Sequence, residues 1–158
     1  MFRELVRFRQ KLTEEECRKI LHESMRGVLS VNGDDGYPYG IPLNHYYSEA
    51  DNRIYFHSGR NGHKMDALKQ DDRASYCVLN EGVKEDGGWA LNFKSVIVFG
   101  RIEVIDEPEV TEDIARKLSH KFTDDEAYID DEILHSLRNT VLLALNIEHM
   151  CGKRVNEK

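Results

Sequence analysis

The sequence predicts a mainly β fold with flanking helices, in which about six antiparallel strands curl into a small barrel. Two observations and one physical argument carry that reading. Short runs of β-favouring residues between Gly27 and Ile105 are separated by tight turns, and turns that short join antiparallel neighbours. Helical periodicity is confined to the two flanks and one brief segment between strands. Closing the sheet into a barrel would remove exposed edges, and a half-open sheet is the alternative.

Taken in order, Thr13 and Glu16 form a capping box, in which each side chain satisfies the other's backbone amide, so a helix starts near Glu14 and runs to about Ser24. Leu12 and Cys17 can staple its start, while Cys17, Ile20 and Leu21 share one face that covers an end of the sheet. Val28 to Val31, a turn at Gly33 to Gly36, and Tyr37 to Tyr47 read as a hairpin. Ser48 to Asn52 turns the chain into Arg53 to Ser58, completing a three-stranded meander. After the loop Gly59 to Gly62, His63 to Lys69 makes two helical turns, Arg73 to Leu79 is a strand, and Asn80 to Gly88 is a polar loop. Trp89 to Ile105 is one bent strand or two short ones, with Gly100 as the bulge or bend. Val110, Ile114, Leu118 and Phe122 recur every four residues behind Pro108, which starts a helix. Ile129, Ile133, Leu134 and Leu137 mark a second short helix. Val141 to Ile147 is nearly all apolar, as a strand buried on both faces is.

A chain of 158 residues is sized for a single domain, 1–158, with a core that needs no metal or disulfide staple. No apolar run approaches the roughly 20 residues of a membrane-spanning helix. The net charge of −7 disfavours a phosphate-backbone binder, so nucleic acid is not an expected partner. Cys17, Cys77 and Cys151 are odd in number and widely spaced, which fits reduced thiols in the cytoplasm better than a disulfide framework. Arg and Glu interrupt the first twelve residues too often for a secretory signal, so the mature chain is expected to start here.

Two segments suggest chemistry. Pro38 and Pro42, four apart, share a face and lack ladder donors, and Gly40 between them leaves room for a flat molecule against the backbone; a proline-blunted edge strand explains the same residues. His57-Ser58-Gly59-Arg60-Asn61-Gly62-His63-Lys64 gathers a hydroxyl, flexible glycines and cationic donors beside a helix start, a setting for a phosphate, although a solvated charged turn would look alike. The GxxxxGK[ST] pattern is missing, the spacing of His57 and His63 suits no metal pair, and GxSxG is missing too. The six tyrosines from Tyr37 to Tyr76 suit a core or a dimer interface.

These residues together resemble the pyridoxamine 5′-phosphate oxidase-like flavoproteins with a split β-barrel, and within them the nitroimidazole-resistance branch. The likeness lies in Met1 to Glu4, Gly27 to Val31, Gly36 to Asn44, Ile54 to Ser58 with Gly62 to Lys64, Ser95 to Arg101, and Cys151 to Lys153. It implies FMN, with FAD as the variant cofactor, at a homodimer interface. The ring would lie along Tyr39, Gly40, Ile41, Pro42, Leu43 and Asn44, with Ser95 near it, and Ser58, Gly62, His63 and Lys64 would hold the phosphate. His57 falls on the branch's characteristic histidine and is the candidate catalytic residue. The implied activity passes electrons from NAD(P)H to a small acceptor, nitro compounds among the candidates; a flavin store or sensor without turnover and a small-ligand or haem-binding barrel are the alternatives. The true oxidases hold phosphate with an Arg-Lys pair where this chain has His63-Lys64, and their C-terminal Trp and Arg have no counterpart in 146–158, so oxidation of pyridoxamine phosphate is not expected.

Overall fold

A computed structural model describes residues 1–156. Eight strands form one curled sheet with four α-helices outside it: α1 Glu14–Glu23, β1 Arg26–Asn32, β2 Pro38–Asn44, β3 Tyr46–Ser48, β4 Arg53–Gly59, α2 His63–Gln70, β5 Arg73–Leu79, β6 Val83–Lys84, β7 Leu91–Ile105, α3 Pro108–Ser119, α4 Glu126–Ser136 and β8 Thr140–Val155. Every pairing is antiparallel, in the order β2-β1-β5-β7-β8-β4-β3, with β6 beside β7.

The expected six strands become eight for local reasons. His45 interrupts the run 37–47, so that it splits into β2 and β3. Val83-Lys84 pairs with Leu91-Asn92 inside the expected polar loop. The last strand runs to Val155, past Ile147, because β7 is long enough to pair with all of it. The predicted bend at Gly100 is a register shift between Phe99 and Gly100. A Cβ on Gly100 would stand 1.9 Å from the Asn146 carbonyl oxygen, a contact only glycine avoids.

The two ends of the sheet, β2 and β3, are joined through His45 alone, and this makes the barrel split. Below that corner β3 pairs only with Arg53 to Tyr55, so the outer edge of β4 from Phe56 to Gly59 and the outer edge of β2 face an opening. Inside pack Leu29, Ile54, Phe56, Tyr76, Val78, Val96, Val98, Leu143 and Leu145, all at 0% exposure. α1 adds Cys17, Ile20 and Leu21 to that core from the predicted face, and its capping box is present in full.

On the other side of β8, Leu142 and Ala144 pack with Tyr55 and Ile114 of α3, so the last strand is covered on both faces as its apolar run requires. Two helical expectations need correction. α3 ends at Ser119, leaving Phe122 outside it and exposed, and Leu134 lies off the buried Ile129–Ile133 face of α4. Among the described residues no helix is long and apolar enough to cross a membrane, and all three cysteines are free. Residues 157–158 of the expected domain lie outside the described residues.

Candidate functional site

The predicted residues of β2, β4 and the start of α2 lie at the split, and Ser95 does not. β2 is an edge strand whose Pro38, Gly40 and Pro42 are exposed on the outer face, while Tyr39, Ile41 and Leu43 turn inward against the core. The prolines therefore cost no ladder bonds, and Gly40 leaves the backbone bare. The Tyr39 ring stacks on the His63 imidazole at the start of α2, with centroids 4.1 Å apart and planes at 20°. That contact ties the strand expected to carry a ring to the helix expected to hold a phosphate.

At the start of α2 free backbone amides and a cation lie side by side. Gly62 has φ +117, a conformation for glycine, and as N-cap it offers no side-chain acceptor, so the first amides of the helix remain unpaired by any cap. Lys64, in the first turn, is half-buried; among the described residues its ammonium has no ion pair, and burial pushes its pKa below the ordinary lysine value. A half-buried cation beside uncapped helix amides fits a phosphate group. His63 adds a ring nitrogen 3.5 Å from the Asp34 carboxylate.

Other predicted residues are placed differently. The Ser58 hydroxyl is buried, donating to the Gly59 carbonyl at 2.9 Å and lying against Met65 Sδ. Arg60, expected to add a cation to the phosphate loop, is held away by both carboxylate oxygens of Asp106, at 2.6 and 2.9 Å, and by the Arg138 carbonyl. Ser95 sits on the outer face of β7, three strands along from β2 and so roughly 14 Å away by strand spacing.

His57 points away from Ser58, as neighbours on a strand do, into a cavity of about 330 Å³ that Asn44 also lines. Burial first, then the Lys64 charge, lowers its pKa, so its imidazole is neutral near pH 7. The cavity roof comes from α3, α4 and the turn between them, including Ala115, Phe122, Tyr128 and Glu132, none of which sequence reasoning singled out. The available signal was the exposed position of Phe122 and Tyr128, invisible before the helix ends were known.

One more arrangement escaped the sequence. His45, fully buried at the β2–β3 corner, lies 2.7 Å through Nε2 from the Leu21 carbonyl and 2.8 Å through Nδ1 from the Tyr76 hydroxyl. The Lys121 ammonium donates to the carbonyls of His45 and Ser24, both at 2.7 Å.

The profile of the pyridoxamine 5′-phosphate oxidase family matches residues 13–154. Among solved structures, a candidate 5-nitroimidazole antibiotic resistance protein from Bacteroides thetaiotaomicron is similar with a TM-score of 0.76 at 20% identity, covering 91% of this chain and 86% of its own. An FAD-binding protein from Mesorhizobium loti aligns at 26% identity and TM-score 0.64, over 93% of this chain and 98% of its own. An FAD and heme binding protein from Mycobacterium smegmatis aligns at 18% identity and TM-score 0.71, over 94% and 74%. No curated protein matches the sequence.

Proposed function

The chain belongs to the pyridoxamine 5′-phosphate oxidase family, and from that premise we propose that it is an FMN-binding oxidoreductase that takes electrons from NAD(P)H and passes them to a small acceptor. The observation that carries the reading is Lys64, a half-buried ammonium without a counter-ion among the described residues at the uncapped start of α2, tied to the open edge of β2 through the Tyr39–His63 stack. Tyr39 to Asn44 would present the backbone edge to the ring system; Gly62, His63 and Lys64 would hold the phosphate, with Ser58 behind them. When bound, a flavin supplies the electron-transfer chemistry. His57, neutral and without a protein hydrogen-bond partner among the described residues, can donate one hydrogen bond and accept one beside it. FAD is compatible with the same anchor, and flavin-binding proteins among the similar folds support the flavin itself.

The reading includes a homodimer. Ser95 is too far along the sheet to reach a ring at β2 of its own chain, so the partner subunit's Ser95 would supply that contact. The C-terminal Trp and Arg of the true oxidases have no counterpart in 146–158, which, with His63 in place of the arginine of their phosphate pair, argues against turnover of pyridoxamine phosphate itself, and a nitro compound is one acceptor worth assaying.

Reconstitution with FMN should give a flavin absorbance band that comigrates with the protein, bleached on mixing with NADH in a stopped-flow instrument. Lys64→Ala removes a charge-assisted contact of ~1.5 to 3 kcal/mol, so FMN affinity should fall roughly tenfold or more. Riboflavin, which lacks the phosphate, should bind both proteins alike. Equal losses for the two ligands would reject the phosphate anchor, and a flavin that binds without bleaching would make the protein a flavin carrier.

A further inference from the structure

We propose that the cavity between the split and the α3–α4 pair binds a second ligand, a neutral aromatic compound one or two rings across. Its place next to an electron donor rests on the flavin reading above, but the binding itself does not. The volume, about 330 Å³, lies at the small end of the range for small-molecule sites and suits one or two rings. Its walls mix apolar side chains, Leu118, Ile129 and Ile133 among them, with polar ones, and two large aromatic side chains stand at it half in water: Phe122 at 49% exposure and Tyr128 at 57%. Aromatic groups left that wet gain from a ring laid against them.

The polar atoms in the lining divide into two sets. The Ser136 hydroxyl donates to the Glu132 carbonyl at 2.6 Å and the Thr140 hydroxyl to the Ser136 carbonyl at 2.9 Å, so these are engaged within the chain. Asn44 accepts through Oδ1 from Arg26 Nε at 2.8 Å, which leaves its NH₂ free to donate. With His57 it offers a guest two hydrogen-bonding groups, one from each strand bordering the split.

Charge sets the class of guest. No Lys or Arg lines the cavity, whereas Glu132 does, and its carboxylate has no ion pair or side-chain hydrogen bond among the described residues. An anionic ring compound would meet the like charge of the exposed Glu132 carboxylate in the lining, so it is disfavoured relative to a neutral one.

Calorimetric titration of menadione, a neutral two-ring quinone, and of naphthoquinone sulfonate, its anionic counterpart, tests this in FMN-saturated protein and in protein freed of flavin. Menadione should bind both forms and the sulfonate should bind at least tenfold more weakly. Phe122→Ala and Tyr128→Ala alter exposed side chains, so the fold should survive them; each should weaken menadione about tenfold and leave FMN affinity unchanged. Glu132→Lys should bring the sulfonate to the affinity of menadione or better. Wild-type protein that fails to bind menadione, that binds both quinones equally, or whose Phe122 and Tyr128 variants bind menadione as before would overturn the proposal. Because flavin affinity is measured separately, a protein that binds menadione but no flavin would reject only the flavin reading.

Discussion

At the scale of single residues, His45 closes the fold and carries a pH signature. Nε2 faces the Leu21 carbonyl and Nδ1 the Tyr76 hydroxyl, which also lies 3.0 Å from the Leu43 carbonyl, and burial of this imidazole, reinforced by the nearby Lys121 charge, pushes its pKa down to about 4. An unfolded chain would protonate it near 6.5. Between those values the unfolded state binds a proton that the folded state refuses, so this contribution to stability is whole above pH 6.5 and is lost as the pH falls toward 4. The loss amounts to roughly 3 kcal/mol. His45→Gln keeps a donor and an acceptor but no titration, so melting temperatures followed from pH 7 to pH 4 should fall less steeply in the variant. Parallel curves would remove His45 from the acid response. Residue identity alone could not show this role, because only the fold seals His45 at the β2–β3 corner while His57 faces the cavity beside α3 and α4.

Elements show why some of the fold was legible and some was not. The capping box at Thr13, the apolar run 141–145 and the bend at Gly100 are local signals that tertiary structure reinforces, and each appears where the pattern puts it. The two-residue β6 and the extension of β8 to Val155 depend on pairing with β7, a long-range partner that composition does not encode. In the same way Gly62, His63 and Lys64 could be read as an anion site from their order, whereas the diversion of Arg60 to Asp106 required knowing that residues 46 apart meet. The bend gives a direct test. Gly100→Ala drives a Cβ into backbone that no rotamer change can move, so it should destabilise the protein by about 3 kcal/mol or more. Gly59→Ala meets nothing within 4 Å and should change stability by less than about 1 kcal/mol. Urea denaturation of the two variants distinguishes a tight crossing from general intolerance of alanine; similar losses would mean that the crossing can yield.

For the molecule as a whole, the argument turns on surface. A monomer of 18.3 kDa should expose about 8,000 Å² by area scaling, yet this chain exposes 10317 Å². The excess of roughly 2,000 Å² is more than the ~800 Å² that each partner contributes to an ordinary protein interface. Part of it is the outer face of the sheet, where Val28, Cys77, Ile97 and Cys151 form one row across β1, β5, β7 and β8, and Phe99 and His149 lie in the next. Val28, Ile97 and Phe99 are 41%, 40% and 37% exposed, and Phe2 lies against Phe99 and His149 at ring distances of 5.3 and 4.8 Å. A row of this kind left in water is costly, and burying it against a second copy would relieve that cost. Light scattering should therefore give a mass about twice 18.3 kDa. Ile97→Asp and Phe99→Asp place carboxylates on that face without touching the core, so the variants should stay folded, become monomeric and lose flavin affinity together with the partner. A wild-type monomer that retains flavin would separate the two properties and put the whole cofactor site within one chain.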